Sequence, residues 1–364
     1  MNDFQKTAKE LLDFIEKSPT CFHAVANIGA MLEEAGYVRL RENEEWKLVK
    51  GGKYYTERND SSVIVFAVPT GTVKGFHMAA AHSDSPCFKV KEKPELTVED
   101  HYMRLNTEKY GGMILSTWMD RPLSVAGRLA VRGTDGIRSR LVNIDRDLCV
   151  IPNVAIHMNR EANSGVSYNP QKDVLPLFSM GGSEVSLQKL LSAQLGIEEK
   201  DILSHDLFLY NRMEGSIWGA ENEFASSGRL DDLQCAFASL KGFMSAQKQE
   251  CIAVHCVLDN EEVGSGTKQG AASFLKDTLL RINSGLGRTY EEYLMTLADS
   301  FMISADNAHA LHPNYTDKAD PVNHPLLNKG IVIKYNANQK YCTDAVSAAV
   351  FKDLCDRAGV PWQT

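Results

Sequence analysis

The segment CIAVHCVL (251–258) is the feature that most constrains the fold. Its residues are almost continuously apolar, which is typical of a strand buried on both faces. Such strands occur in parallel sheets that helices cover on both sides. The segment is followed at once by DNEEVGS, in which Glu261 and Glu262 stand side by side. Two adjacent carboxylates near a buried strand repel each other and lose hydration, so they require a compensating positive charge.

The rest of the chain alternates predicted helices with predicted strands, which indicates an α/β fold with a mostly parallel sheet flanked by helices. An amphipathic helix at the start ends at Ser18-Pro19, and Thr20 is expected to cap a second helix that runs to Gly36. The other predicted elements are the strands 61–69, 75–82, 299–304 and 330–335 and the helices 230–246, 271–282 and 344–358, the last capped by Thr343 and stopped by Gly359.

The middle of the chain has a different sequence pattern. Between about 89 and 225, short β-like segments (126–133, 139–144 and 154–158) alternate with turn residues. This pattern indicates a β-rich domain inserted into the α/β domain. We therefore predict a discontinuous first domain, 1–88 with 226–364, and an inserted second domain, 89–225.

Composition restricts the class of protein. Of the 364 residues 43% are hydrophobic, the net charge is −8, and no cluster of Lys and Arg stands out, which argues against a nucleic-acid partner. The eight cysteines are scattered without a C-x-x-C pair, so we expect reduced thiols in a cytoplasmic protein. No apolar run approaches the ~20 residues that span a bilayer, and the first segment lacks the apolar region of a signal peptide. No membrane association is expected.

Acidic and imidazole side chains gather where the predicted strands end or helices begin. Ligand sites in such sheets lie at the carboxyl ends of strands. His82 and Asp84 are two apart on an extended segment and so face the same side. The complete set is His82 and Asp84, Asp231 and Asp232, Glu261 and Glu262, and Asp306, His309 and His312.

This donor set, which contains no thiol, suits Zn²⁺ or a similar divalent ion such as Mn²⁺ or Co²⁺. One carboxylate can bridge two metal ions ~3.5–4 Å apart, so two ions would offset several carboxylates at once. Of the two adjacent glutamates, one can be a ligand while the other accepts a proton from water. The pattern favours a metal-dependent hydrolase.

Each cluster also has an ordinary interpretation on its own. An adjacent Glu pair is most often a solvated surface pair, and a lone histidine at a strand end is most often structural. Asp231 at a helix start is also favoured by the helix dipole. The metal hypothesis therefore depends on the clusters meeting in space.

The motifs resemble those of the aspartyl aminopeptidase family. The similar segments run in order along the chain and include AAHSDSP, VAIHMNR, GRLDDL, LDNEEVGS, SADNAHALHPNY and IVIKYNANQKYCTDA. The resemblance implies a dinuclear metallo-aminopeptidase that acts on peptides with a free N-terminus, especially N-terminal Asp or Glu. It also implies a catalytic domain of the zinc exopeptidase type, an inserted β-rich lid and dimerisation domain, and a homo-oligomer, a dodecamer.

The resemblance assigns a role to each matching position. It implies Glu261 as general base, with Asp84 orienting His82. It implies His82, Asp231, Glu262 and Asp306 as metal ligands, with Asp231 bridging two metal ions. It implies His157, reaching a neighbouring subunit, and His309, Lys334 and Tyr341 as substrate contacts. Lys334 also has a physical logic, because a buried ammonium would pair with an acidic substrate side chain and be left unpaired by an apolar one. Its ordinary interpretation is a solvent-facing lysine on a strand.

One departure concerns the second metal. The family has a sixth ligand, a histidine, in a segment that follows the position of Thr364, where this sequence ends. Two alternatives therefore stay open at this point. One is a related metallohydrolase, such as a carboxypeptidase or deacylase, and the other is a non-catalytic or weakly active scaffold of the same family.

Overall fold

The computed structural model describes residues 3–182, 184–246 and 250–364. The chain forms two compact units, Met1–Ala305 and Asp306–Thr364. Within the described residues, no helix combines the length and the apolar character that crossing a bilayer requires.

The helices and strands are numbered in chain order. The helices are α1 (Asp3–Glu16), α2 (Cys21–Glu34), α3 (Leu187–Leu195), α4 (Leu230–Ser245), α5 (Phe274–Gly285), α6 (Tyr290–Ala298) and α7 (Ala345–Ala358). The strands are β1 (Val38–Leu40), β2 (Lys53–Arg58), β3 (Ser62–Ala67), β4 (Phe76–His82), β5 (Cys87–Val98), β6 (Tyr102–Tyr110), β7 (Leu123–Gly133), β8 (Gly136–Asn143), β9 (Leu177–Met180), β10 (Ile202–Asn211), β11 (Ser216–Trp218), β12 (Phe224–Ser226), β13 (Ile252–Leu258), β14 (Phe301–Ser304), β15 (Ile331–Val332) and β16 (Trp362–Gln363).

The first sheet has the strand order β1-β2-β3-β13-β4-β14. Three of its neighbouring pairs are parallel, namely β1 with β2, β13 with β4, and β4 with β14. The other two pairs, which involve β3, are antiparallel. The predicted mostly parallel sheet is therefore confirmed.

Helices cover the first sheet on both faces. One core packs α1, α2 and α4 against side chains such as Val65 and Val257, and the other packs α5 and α6 against side chains such as Phe66 and Val254. All six residues of β3 are buried, and six of the seven in β13 are. This double burial is why the two strands lack an alternating polar pattern.

The second sheet is antiparallel and has the order β8-β7-β10-β5-β6-β9. Its apolar side chains and those of α3 form a third core, which includes Leu129, Leu191 and Leu207. The edge strand β8 is mostly exposed. All of its strands come from the segment 87–211, whereas the strands of the first sheet come from before and after this segment. The predicted domain boundaries at 88/89 and 225/226 stay a prediction.

Arg128 on β7 connects the second sheet to the loop after β2. Its guanidinium donates to the backbone oxygen of Asn59 at 2.6 Å and to Asp206 at 3.0 Å, and it lies over the ring of Phe22. The Arg128 charge is thus balanced by Asp206 of its own sheet, while the same guanidinium binds the Asn59 carbonyl next to the first sheet.

Two local predictions were wrong. Residues 154–158, expected as a strand, are exposed and irregular with turns at 156–158, because their alternating pattern pairs with none of the strands in the described part of the chain. The cap of α7 is Asp344 rather than Thr343, since Asp344 and Ser347 form a reciprocal capping box. The predicted stop at Gly359 is confirmed by its left-handed backbone.

Candidate metal centre

Strand β4 ends in the pair predicted from its sequence. His82 is its last residue, Asp84 follows two positions later, and both are buried. His82 Nδ1 lies 3.4 Å from Asp84 Oδ1 and 3.1 Å from the Asp84 backbone oxygen. These contacts hold one ring nitrogen and leave Nε2 directed elsewhere, the orientation that a metal-binding histidine requires.

The start of α4 supplies two carboxylates. Arg229 before it has a left-handed backbone, and Asp231 departs from helical geometry (φ −87°, ψ 107°), so the chain bends here. Asp231 Oδ1 lies 3.2 Å from His82 Nε2. Asp232 is fully buried, and its Oδ2 accepts the backbone N–H of His82 at 3.1 Å. The bend therefore places Asp231 against the imidazole and Asp232 beneath it.

The two glutamates follow β13, which runs parallel to β4 with Leu258 opposite His82. The chain then turns through Asn260, which has a left-handed backbone. The backbone N–H groups of Glu261 and Glu262 both donate to the Asp84 carboxylate, each at 3.2 Å. Glu261 Oε2 lies 3.8 Å from His82 Nε2. Asp84 thus connects the histidine to the glutamate loop.

The clusters meet in space, as the metal hypothesis requires. One ligand atom from each of His82, Asp231 and Asp232 lies within 4.8 Å of the others, and the same is true of His82, Glu261 and Glu262. Both glutamates are in range, so the geometry does not divide the roles of base and ligand between them.

The electrostatics of the cluster favour a bound cation. Burial alone would lower the pKa of His82, but the hydrogen bonds to Asp231 and Asp84 outweigh it and raise that pKa to about 11. Burial raises the pKa of Glu262 to about 7, with Asp231, Asp84 and Glu261 adding to the effect against the opposing charge of His82. The raised pKa of His82 reflects the carboxylates around it, and the raised pKa of Glu262 reflects mainly burial, with the neighbouring carboxylates adding to it.

These residues fit zinc. The donors are an imidazole nitrogen and carboxylate oxygens, which are ordinary zinc ligands, and the other ring nitrogen lies 3.1 Å from the Asp84 backbone oxygen and 3.4 Å from its carboxylate, an environment usual for zinc-binding histidines. A dication would offset the carboxylate charge more completely than the proton that His82 otherwise keeps.

Asp306 is the first residue of the second unit. It follows Ala305, whose backbone N–H donates to the oxygen of Ala80 in β4 at 2.7 Å. Within the second unit, Lys334 Nζ lies 3.3 Å from Asp306 Oδ1, donates to the Asn307 oxygen at 2.7 Å, and lies over the ring of Tyr341. The structure thus brings three predicted site residues together in this unit.

The remaining predicted contacts are exposed. His309 lies in the irregular stretch after β14, and His157 lies in the turns at 155–159 of the first unit. Neighbouring apolar side chains are also exposed, with Val154 at 53%, Ile156 at 48% and Met158 at 82%. Contacts of His157 with a second subunit stay a prediction.

Two residues at the site were not predicted to act there: Tyr110 and Asn260. Asp232 was in the predicted donor set but had no assigned role, and the structure shows it accepting the backbone N–H of His82. Tyr110 donates to Asp84 and accepts from Asn260 across long sequence separations, so no local pattern indicates either residue.

A cavity of about 890 Å³ opens beside the cluster. Asp84 and Asp231 lie on its wall, and Phe208 and Tyr210 of the second sheet contribute aromatic surface. Arg229 also lines it, and burial lowers the pKa of this guanidinium to about 10. The cavity has the size and mixed polarity of a site for a small ligand or a peptide end.

The fold and the cluster together define a metal-dependent hydrolase of the α/β class. The family described as aminopeptidase I zinc metalloprotease (M18) matches residues 14–364. The chain therefore belongs to the M18 family of zinc aminopeptidases, and the predicted resemblance is confirmed.

Relatives and solved structures agree with this assignment. A probable M18 family aminopeptidase 2 of Clostridium acetobutylicum is 48% identical over 365 residues, which cover 98% of this chain and 84% of the relative. The structure of the Ape4 and Nbr1 complex contains a similar chain, with a TM-score of 0.94 and 35% identity over 98% of this chain and 74% of that one. The S. cerevisiae mApe1 dodecamer has a TM-score of 0.88 and 26% identity, covering 100% of this chain and 85% of that one.

Proposed function

We propose that the protein releases N-terminal Asp and Glu residues from peptides with two zinc ions. The observation that carries the proposal is the convergence of Asp231, Glu261 and Glu262 on His82, whose other ring nitrogen is held by Asp84. Membership of a zinc aminopeptidase family supplies the reaction class. The number of ions, the residue roles and the acidic preference are the proposal.

The ligands divide between two positions. His82 and Asp306 would hold one zinc, Glu262 the other, and Asp231 both. Asp306 is included because of its SADNAH motif and its place two residues after β14, the strand that pairs with β4. Bound zinc would polarise the scissile carbonyl and lower the pKa of water toward ~7.

Glu261 is the proposed general base. Its side chain is about half exposed (49%), so it can reach a reactant in solvent, and its oxygen lies 3.8 Å from His82 Nε2. The carboxylate would take a proton from water and return it to the departing amide nitrogen. Asp84 keeps the imidazole oriented and ties down the backbone of Glu261.

Lys334 is the proposed selector for acidic residues. Its side chain is only 21% exposed, which disfavours the solvent-facing alternative. In the second unit its ammonium already contacts the Asp306 carboxylate and the Asn307 carbonyl. A substrate carboxylate would share this ammonium, with Tyr341 and His309 as further contacts, whereas an apolar side chain would offer it nothing.

A peptide panel tests the proposed function. Peptides with free N-terminal Asp, Glu, Leu or Lys would be compared with N-acetylated counterparts and with C-terminally blocked ones. We expect release only from free N-termini, with Asp and Glu fastest, loss after chelation and recovery with zinc. Cleavage of acetylated peptides, or release from the C-terminus, would instead indicate a deacylase or carboxypeptidase. Elemental analysis should find two zinc ions per chain, while none or one would favour the scaffold.

We also propose a homo-oligomer, with a dodecamer as the expected size. The exposed apolar side chains around His157 support this, because patches of this kind commonly lie in subunit contacts. The mApe1 structure of S. cerevisiae is described as a dodecamer. Light scattering on purified protein should give twelve times the chain mass, and a monomer would contradict the proposal. The eight free cysteines are consistent with a proposed cytoplasmic location.

A further inference from the structure

We propose that Tyr110 and Gly111, at the end of β6 in the second sheet, position Asp84 and Glu262 of the metal centre. Tyr110 and Gly111 are called the β6 end below. This inference rests on the proposed function, since it concerns how the ligands of that site are held. It gives the second sheet a part in metal binding, although that sheet contributes no histidine or carboxylate to the described cluster around His82.

The Tyr110 hydroxyl fixes the Asp84 carboxylate. It donates to Asp84 Oδ2 at 2.6 Å, the shortest of the hydrogen bonds that this carboxylate accepts from described residues. The Asn260 side-chain amide donates to the same hydroxyl oxygen at 2.9 Å, which directs the phenolic proton towards Asp84. Asp84 is therefore held from three sides, by His82, by the glutamate loop and by Tyr110.

Asn260 is itself held in place, so the donated bond has a defined direction. Its side-chain oxygen accepts from Thr267 at 2.8 Å and from Gln269 at 2.7 Å. Burial, with Asp84 adding to it, raises the pKa of Tyr110. The phenol therefore stays a hydrogen-bond donor throughout the neutral range.

Gly111 lies next to the second glutamate. Its backbone lies in the left-handed region (φ +73°), and a Cβ placed on it would come within 3.1 Å of Glu262 Cβ and 3.5 Å of Glu262 Oε2. The chain can approach the ligand this closely because there is no side chain at Gly111. The β6 end thus holds Asp84 through a hydroxyl, and at Gly111 it leaves Glu262 space that a larger residue would narrow.

Simple packing is the competing explanation. The Tyr110 ring lies edge-on to Phe208 of β10 with centroids 6.1 Å apart, so the residue also contributes to packing within the second sheet. Tyr110→Phe keeps the ring and removes only the hydroxyl. This substitution separates positioning of Asp84 from packing.

The experiment compares Tyr110→Phe with wild type and with Tyr102→Phe, a control at the other, exposed end of the same strand. Zinc-loaded protein would be titrated with a chromophoric chelator to obtain zinc affinity, and kcat, KM and thermal stability would be measured in parallel. We expect Tyr110→Phe to weaken zinc binding by about 10–100-fold and to lower kcat more than it raises KM. Tyr102→Phe should match wild type.

The outcomes separate this inference from the proposed function. Unchanged zinc affinity in Tyr110→Phe, with a lower melting temperature, would assign the residue to packing and overturn the inference. A Glu262→Gln variant tests the site itself: if it binds zinc as tightly as wild type, the proposed ligand set fails. If Glu262→Gln loses zinc while Tyr110→Phe does not, only the inference fails. Gly111→Ala should weaken zinc in the same direction as Tyr110→Phe.

Discussion

The first sheet carries a histidine at the end of β4 and carboxylates after β4 and β13, whereas the second sheet sends the hydroxyl of Tyr110 towards them. The difference follows from burial. Strands β3 and β13 lie between two cores, so their side chains are almost all apolar, and the polar His255 in the middle of β13 is fully buried. The second sheet has one core and an exposed edge at β8, so its polar residues are distributed along the strands. In the proposed site the charged ligands come from the first sheet's strand ends and from α4, and Tyr110 of the second sheet helps to hold Asp84.

The strongest test of this division removes the proposed base from the first sheet. Glu261→Gln should lower kcat by about 10²–10⁴-fold, because the amide cannot accept a proton while its size is unchanged. Zinc content should stay at the wild-type level by elemental analysis. Wild-type turnover in this variant would end the assignment of Glu261.

Core substitutions compare how strongly the sheets depend on burial. Phe66→Ala, inside the doubly covered sheet, should lower the free energy of unfolding by about 3–5 kcal/mol. Ile137→Ala, on the exposed edge strand, should change it by less than about 0.5 kcal/mol. Denaturant unfolding with matched spectroscopic probes measures both, and similar losses would contradict the comparison.

Lys334 lies in neither of the two large sheets. Substituting it tests whether the preference for acidic N-terminal residues depends on a part of the protein outside both sheets. Lys334→Met keeps the length of the stem and removes the charge. Loss of a charged hydrogen bond of about 1.5–3 kcal/mol should lower kcat/KM for N-terminal Asp or Glu by about 10–150-fold. The value for N-terminal Leu should not fall, and an equal loss for both substrates would point to a structural role.

Arg128 tests the joint between the sheets. Arg128→Met removes the bond to the Asn59 carbonyl and leaves Asp206 with Lys89 as its remaining cation, 3.0 Å away. We expect a loss of about 1–3 kcal/mol in stability with little change in zinc affinity. A loss of zinc affinity as large as that of Tyr110→Phe would show that the whole joint, rather than the β6 end, aligns the site.

The smallest expected effect is the release of one proton from His82 when zinc binds. His82 has a folded pKa of about 11, above its usual value of 6.5, so its charge stabilises the zinc-free protein fully below pH 6.5, and this contribution is lost as pH rises towards 11. Zinc displaces that proton, so zinc affinity should rise with pH across the same window. Calorimetry in buffers of different ionisation enthalpy should detect release of about one proton, and its absence would contradict a protonated His82.

Much of this could be predicted from sequence, and the exceptions have physical reasons. The pair His82 and Asp84 follows from a period of two, and the buried strands follow from continuous apolar runs. Residues 154–158 have strand-like alternation, but a strand needs a partner that the pattern does not specify. Tyr110 lies 150 residues before Asn260, so their contact exists only once both sheets have formed. The close approach of Gly111 to Glu262 was equally invisible in the chain order.

Asp84 accepts hydrogen bonds from the His82 imidazole at the end of β4 and from the backbone of the loop after β13. These shared bonds limit how the lengths of the two loops can change. An insertion in the loop after β4, or in the one after β13, would move the shared anchor away from one of its partners. Length changes near the centre are therefore expected to be rare among functional homologues. The exposed turn between β7 and β8 has no such tie, and it is where we expect extra residues to accumulate.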